Sequence, residues 1–340
     1  MPLAVRSTGL VTSVGLSAPA ACAAMRAKIT NPSETRFIDS GGQWIMAHQV
    51  PLAQPWRGLA RLARMAAMAI DEALADVPRT EWPGLPLLLC VAERDRPGRL
   101  QGLDEQLFGL IEAELGVHFH AQSAVVPQGR VGVAVAMAQA RQLLAQPGGG
   151  IGQVLVAATD SLLSWPTLSH YEQQSRLLTE ANSNGFMPGE GAGALRVGVA
   201  DDKDALVVGG IGFGREAAHI DAEEPLRADG LSQAIKAALA DAGVQMHDMS
   251  FRITDVSGEQ YYFKEAALAL SRTLRQRKTA FDIWHPAECT GEAGALAGAS
   301  VIAVADMACR KGYANGPAIL AHMANDSGPR AAMTLQFRSA

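Results

Sequence analysis

From Val131 to Ala145 the chain carries only Gln139, Arg141 and Gln142 as polar side chains, and the rest is Val, Ala, Gly, Met and Leu. A helix apolar on nearly every side is enclosed by other elements, unlike a surface helix with a single apolar stripe. Gly132, Ala134, Ala136, Ala138 and Ala140 would let neighbouring backbones approach it closely. Pro147 and Gly148-Gly149-Gly150 then end it ahead of an apolar strand, Gln153 to Ala158. The same pattern recurs from Glu292 to Met307, again nearly all small or apolar, followed by Gly312 and Gly316 and an apolar strand, Ala318 to Met323.

Two enclosed helices predict two halves, residues 1–200 and 201–340. Before the first helix the periodicity predicts strands at Leu3–Val11, Leu87–Ala92 and Val117–Ala124, with helices at Gly58–Ala75 and Leu103–Leu115. Before the second it predicts strands at Leu206–Gly212, Phe251–Val256 and Thr279–Trp284, with helices at Gly230–Ala242 and Tyr262–Arg275. This alternation makes a layered α/β fold, and an internal duplication with its two buried helices side by side between two sheets accounts for both halves.

Composition narrows the function classes. A 48% hydrophobic content, 19% charged residues and a net charge of -5 describe a soluble globular chain without the basic stripe that a nucleic-acid binder needs. No apolar run reaches the roughly 20 residues of a membrane span, and the N-terminus lacks the pattern of a signal peptide. Cys22, Cys90, Cys289 and Cys309 lie far apart, without the pairing of a zinc site or a disulfide framework, so a reducing cytoplasm is expected.

Three segments carry a family resemblance. Gly185-Phe186-Met187-Pro188-Gly189-Glu190-Gly191-Ala192-Gly193 closely resembles the glycine-rich segment of β-ketoacyl synthases. Ser7 to Gly15 resembles that family's opening strand and turn, and Thr290 to Ala299 resembles its second buried helix. The resemblance runs the length of the chain. It implies the thiolase-like five-layered α-β-α-β-α fold built from two duplicated halves, with 3-oxoacyl-carrier-protein synthase chemistry, and needs no cofactor or metal. Without this resemblance, the glycine-rich segment reads only as a tight-turn loop. A dinucleotide-binding loop does not fit, because no helix opens on those glycines.

The resemblance also implies where the reactive groups belong. The family places a cysteine at the start of the first buried helix, where the dipole and backbone N–H groups favour the thiolate, and two histidines in the second half. One gap-free placement puts Arg130 at the cysteine position, and anchoring on Gly129 gives Val126. The histidine positions read Ser257 and Glu292, the lysine before the latter is missing, and the closing glycine-rich loop becomes Met323 to Pro329. The Cys-His-His set is replaced. An arginine at a helix N-terminus opposes the dipole by about 0.3–1 kcal/mol unless a carboxylate compensates, so Arg130 is expected either to pair with Glu292 or to point to solvent.

Other candidates have ordinary structural readings beside their functional ones. Cys289 is a relocated nucleophile with Glu292 or His285 as base, or a small buried thiol. Gln128 matches ketosynthase relatives in which glutamine replaces cysteine, but decarboxylation needs the absent histidines. His118 and His120 share a predicted strand face yet lack a third metal ligand. Trp44, Trp56, Trp82, Trp165 and Trp284 are scattered, as packing residues are.

Three functions follow. The first is a non-enzymatic scaffold used as an adaptor, with an effector or a carrier protein as partner. A looser resemblance to ketosynthase-like proteins associated with type VI secretion effectors suggests a role in effector loading. The second is an active acyltransferase with a relocated nucleophile. The third is the silent half of a ketosynthase heterodimer. The family implies pairing across Gln153–Ala158 as an open strand edge, hence a homodimer.

Overall fold

The computed structural model describes residues 1–148, 150–201 and 204–339. Gly149 of the expected Pro147–Gly150 turn and the residues just past the expected 200/201 boundary lie outside the described residues. Among those described, the N-terminal part runs β1 (Leu3–Val11), α1 (Ala18–Arg26), β2 (Ser33–Ile38), β3 (Trp44–Ala47), α2 (Gly58–Ala73) and β4 (Leu87–Val91). It continues with α3 (Leu107–Leu115), β5 (Ala124–Pro127), α4 (Gly132–Leu144), β6 (Gln153–Ser161), α5 (Trp165–Gln173) and β7 (Glu190–Val199). The C-terminal part runs β8 (Ala205–Arg215), α6 (Asp229–Ala242), β9 (Phe251–Thr254), α7 (Gln260–Thr273) and β10 (Ile283–Trp284). It ends with α8 (Ala287–Thr290), α9 (Ala297–Arg310), β11 (Ala318–Ala324) and β12 (Pro329–Arg338).

Among the described residues, ten of the twelve strands fall into two sets of five with one plan, and β2 and β3 pair with each other as a separate antiparallel sheet. The first set is ordered β5-β4-β6-β7-β1 and the second β10-β9-β11-β12-β8. In the first, β4 runs parallel to β5 and β6, while β7 is antiparallel to β6 and β1. In the second, β9 runs parallel to β10 and β11, while β12 is antiparallel to β11 and β8. Among the described residues the two sets pair where Leu3, Ala4 and Val5 face Val208, Val207 and Leu206.

Period-two alternation of the strands builds five layers. On β4, Leu88 and Cys90 join α4 and α9 in the central core, while Leu87, Leu89 and Val91 face α2 and α3 outside. On β11, Ile319, Ala321 and Met323 point to the same centre, while Ala318 and Leu320 face α6 and α7. The two buried helices meet where a Cβ on Gly298 would lie 2.7 Å from that of Val133, which is why small residues are required there.

Several local expectations change. The strand expected at Val117–Ala124 forms only from Ala124, because Phe119 N–H is taken by Glu112 Oε1 (2.8 Å) and Leu87 N–H by Ser123 Oγ (2.9 Å) instead of by a ladder. His118 and His120 therefore share no strand face; His118 lies in solvent against Glu112, and no cluster of three or more metal-binding side chains occurs among the described residues. The Thr279–Trp284 strand shrinks to Ile283–Trp284. Glu190 to Val199, whose first glycines have a tight-turn loop as their alternative reading, is a fully paired strand. Gly193 is required because a Cβ there would sit 2.8 Å from that of Ala299 on α9. Finally, Gln153–Ala158 is not an open edge: β6 lies between β4 and β7, and the edges of the ten-stranded array are β5 and β10.

The outer layer of the second set depends on glycine. Cβ atoms on Gly210, Gly212 and Gly214 of β8 would each lie within 2.1 Å of a carbonyl oxygen of α6. Gly212→Val is expected to lose at least about 1–3 kcal/mol in denaturant unfolding through overpacking. An unchanged midpoint would contradict this packing.

Candidate functional site

Each buried helix is entered by the same device. Gly129 and Gly294 both take left-handed φ values, 54° and 55°, and each opens a single 3-10 turn, Gly129–Val131 and Gly294–Leu296, ahead of α4 and α9. Each helix start is then tied down from the other half. Asn325, just past β11, accepts Val131 N–H at 3.3 Å, and Asp160, near the end of β6, accepts Ala295 N–H at 2.8 Å.

Arg130 sits in the first of these turns, 6% exposed, with its guanidinium turned inward. Nη1 donates to Glu292 Oε2 at 3.1 Å, and Nη2 donates to the Tyr262 hydroxyl at 2.8 Å and to Asp326. Asp255 Oδ2 lies 3.9 Å from Nε, and the guanidinium stands 4.8 Å from the Tyr262 ring centroid. The expected Arg130–Glu292 pair is present, and Arg130 does not point to solvent.

Glu292 is held by the glycine-rich segment. Its N–H donates to Met187 O and its carbonyl accepts Gly189 N–H, both at 2.8 Å. Gly189 has no room for a side chain, since a Cβ would meet Thr290 O at 2.3 Å. The carboxylate accepts Ser257 Oγ–H at 3.0 Å and Gly294 N–H at 2.9 Å. Arg130, Ser257 and Glu292, far apart in sequence, thus form one hydrogen-bonded set.

A second arginine completes the cluster. Arg176, just after α5, holds Glu259 through Nε at 2.7 Å and Nη2 at 2.8 Å, and reaches Asp326 Oδ2 through Nη1 at 2.8 Å. Asp326 also accepts from the hydroxyls of Tyr171 and Tyr262. The sequence reading gave Arg176, Glu259, Tyr262 and Asp326 no role; its only signal was the altered loop from Met323 to Pro329. Arg96 lies alongside, bound to Asp160 at 2.7 Å and Glu93 at 2.6 Å.

Carboxylates outnumber guanidiniums here, and the proton affinities divide accordingly. Burial, against the pull of Arg130, pushes Glu292 and Asp255 above the usual carboxylate range. Burial also opposes ionisation of Asp326, but Arg130 and Arg176 prevail and hold it well below that range. The remaining space is about 10 Å³, no more than one water occupies.

No activated thiol stands nearby. Burial pushes Cys289 up to about 11, and among the described residues no hydrogen bond joins its sulfur to Glu292 or His285. Cys22 is pushed up to about 12 and Cys309 to about 11, also by burial, and Cys90 is raised as well. The nearby His48 is lowered to about 4 by burial and stays neutral at pH 7. Gln128 is exposed and contributes only its carbonyl, which accepts Asn325 Nδ2–H at 2.9 Å.

Removing the cation strands the acids. Arg130→Met is expected to cost about 3–5 kcal/mol, a fall on the order of 10 °C in Tm. The loss should shrink toward pH 4: without the guanidinium the folded-state carboxyl pKa values rise, and an acid whose folded pKa lies above its unfolded one is destabilising at neutral pH and relieved on protonation. Glu292→Gln removes one surplus charge but turns its NH2 toward a donor, Arg130 Nη1 or Gly294 N–H, and is expected to cost about 1–3 kcal/mol, less than removing the cation. Equal losses at neutral pH in thermal unfolding would contradict this division.

No family model and no curated protein matches the chain. Solved structures match it along its whole length. The ishigamide ketosynthase/chain length factor superposes with a TM-score of 0.82 at 17% identity, over 99% of this chain and 99% of that one. A ketosynthase in complex with its chain length factor from Xenorhabdus doucetiae gives 0.77 at 12% identity, over 98% of both. A β-ketoacyl synthase from Burkholderia phymatum gives 0.76 at 14% identity, over 98% of this chain and 99% of that one. At these identities the likeness establishes architecture, and the chain has a ketosynthase-like, thiolase-like α/β fold.

Proposed function

We propose that this chain is a ketosynthase-fold protein that binds a partner and carries out no condensation. The observation that carries the reading is the sealed centre: a guanidinium and buried carboxylates fill the place where the resemblance puts a thiol and two imidazoles. Condensation needs a nucleophile, and donors aimed at the charge that develops on the thioester oxygen. The Ser257 hydroxyl already donates to Glu292, and the cavity beside Glu292, about 10 Å³, admits no acyl chain.

A second reading, the silent subunit of a ketosynthase heterodimer, draws support from the neighbours, which include a ketosynthase with its chain length factor and a carrier protein complexed with its ketosynthase. Both readings require a protein partner, whether a second copy, a ketosynthase or a carrier protein. The narrower role in loading type VI secretion effectors rests on the looser sequence resemblance alone. We place the protein in the cytoplasm on its four unpaired thiols.

Incubation with acyl- and malonyl-thioesters of coenzyme A and carrier protein, followed by intact-mass measurement, is expected to leave the mass unchanged. A stoichiometric acyl adduct would overturn the non-catalytic reading, and its position would identify a relocated nucleophile such as Cys289. Light scattering at micromolar concentration, alone and with a ketosynthase from the same host, is expected to give a dimer. A monomer under both conditions, with no complex formed on adding carrier protein either, would remove the partner-binding reading.

A further inference from the structure

The end of β6 separates two different environments. Asp160 and Leu162 turn toward the sealed centre, whereas Ser161 and Leu163 line an open cavity of about 580 Å³. That volume lies within the roughly 300–1,000 Å³ of small-molecule sites. The cavity is bounded by β2, the chain entering α2, and the segment leading into α5.

Its walls are aromatic. Phe37 and Trp165 stack at 6.0 Å with an interplanar angle of 29°, and Trp56 lines the same space. Trp165 is 48% exposed and Trp56 37%, an unusual amount of indole surface left in water beside one cavity. Three arginines line the cavity against one carboxylate. Arg61 spends its charge on Glu190, with Nε at 2.9 Å from Oε2, and on Val50 O at 2.6 Å. Arg36 and Arg57 are exposed and make no ion pair among the described residues; Arg36 stands 5.0 Å from the Phe37 ring centroid. The lining thus has an unbalanced charge of two, and α2 brings no acid in its first turn to offset it.

We propose that this cavity binds an organic anion with a flat aromatic body of about nucleotide size. Its anionic group is seated on Arg36 and Arg57, and its ring lies against Trp56 and Trp165. Guanidiniums favour phosphate or carboxylate through forked, charge-assisted hydrogen bonds, and indole faces supply stacking that aliphatic walls do not. The site is independent of the Arg130 centre.

The test is calorimetry and tryptophan fluorescence with 1-naphthyl phosphate, using 1-naphthol as the neutral counterpart. Saturable one-to-one binding with quenching is expected, at least about tenfold tighter for the phosphate than for the naphthol. Arg36→Gln with Arg57→Gln should bring the phosphate down to the naphthol's affinity at an unchanged Tm, since both side chains are exposed. Trp165→Leu should weaken both ligands, and Arg26→Gln, at the separate cavity that the end of α1 shares with Trp284 and Tyr313, should weaken neither. Equal affinity for the two ligands, phosphate affinity unaffected by the double arginine replacement, or no saturable binding up to about 10 mM would overturn the proposal.

Discussion

A guanidinium buried between two sheets has to be neutralised where it stands, and the structure around Arg130 follows from that requirement. It lies in the turn before a helix, where the dipole disfavours a cation, and it is nearly cut off from water. Its partners Glu292, Tyr262, Asp255 and Asp326 all come from the C-terminal half, as do the partners of Arg176, Glu259 and Asp326. The first half supplies the guanidiniums of Arg130 and Arg176 and the second their carboxylates, whereas Arg96 is held by Glu93 and Asp160 of its own half. The interior at the two helix starts is therefore a charged seam between the two sets of strands. Such seams add little net stability over apolar packing, but losing one partner is costly, which makes them devices of registration.

The two matching entry turns hold the backbone at position 130 independently of its side chain. Gly129 and Gly294 set the same left-handed corner, and each helix start is capped from the opposite half by Asn325 or Asp160. Backbone geometry at the site is thus fixed by glycines and cross-half caps, not by the residue at position 130. Its partner carboxylate is equally well fixed, because the glycine-rich segment holds the backbone of Glu292 on both sides. Replacing the side chains leaves the frame standing.

The buried helices and the layered fold were legible from local composition without a polar face, whereas the Arg130–Glu292 pair was one of two outcomes left open at positions that the family resemblance aligned. What escaped had non-local causes. Gly191 and Gly193 look like a loop, yet they are strand residues kept small by Leu296 and Ala299 packing across them. The strand Gln153–Ala158 is apolar because it is central, buried on both faces by neighbours the sequence does not display, so its apolarity was mistaken for an open edge. Arg176 and Asp326 are single charged residues in loops, and only folding brings them within 2.8 Å.

The central claim is that Arg130 is locked, dry and closed to substrate. Nitrogen-resolved NMR of the arginine side chains, assigned with Arg130→Lys, tests it most directly. The account predicts separate, slowly exchanging Nη signals for Arg130 that stay in place when saturating acyl thioester is added. A single averaged signal, or one that moves with the thioester, would contradict it.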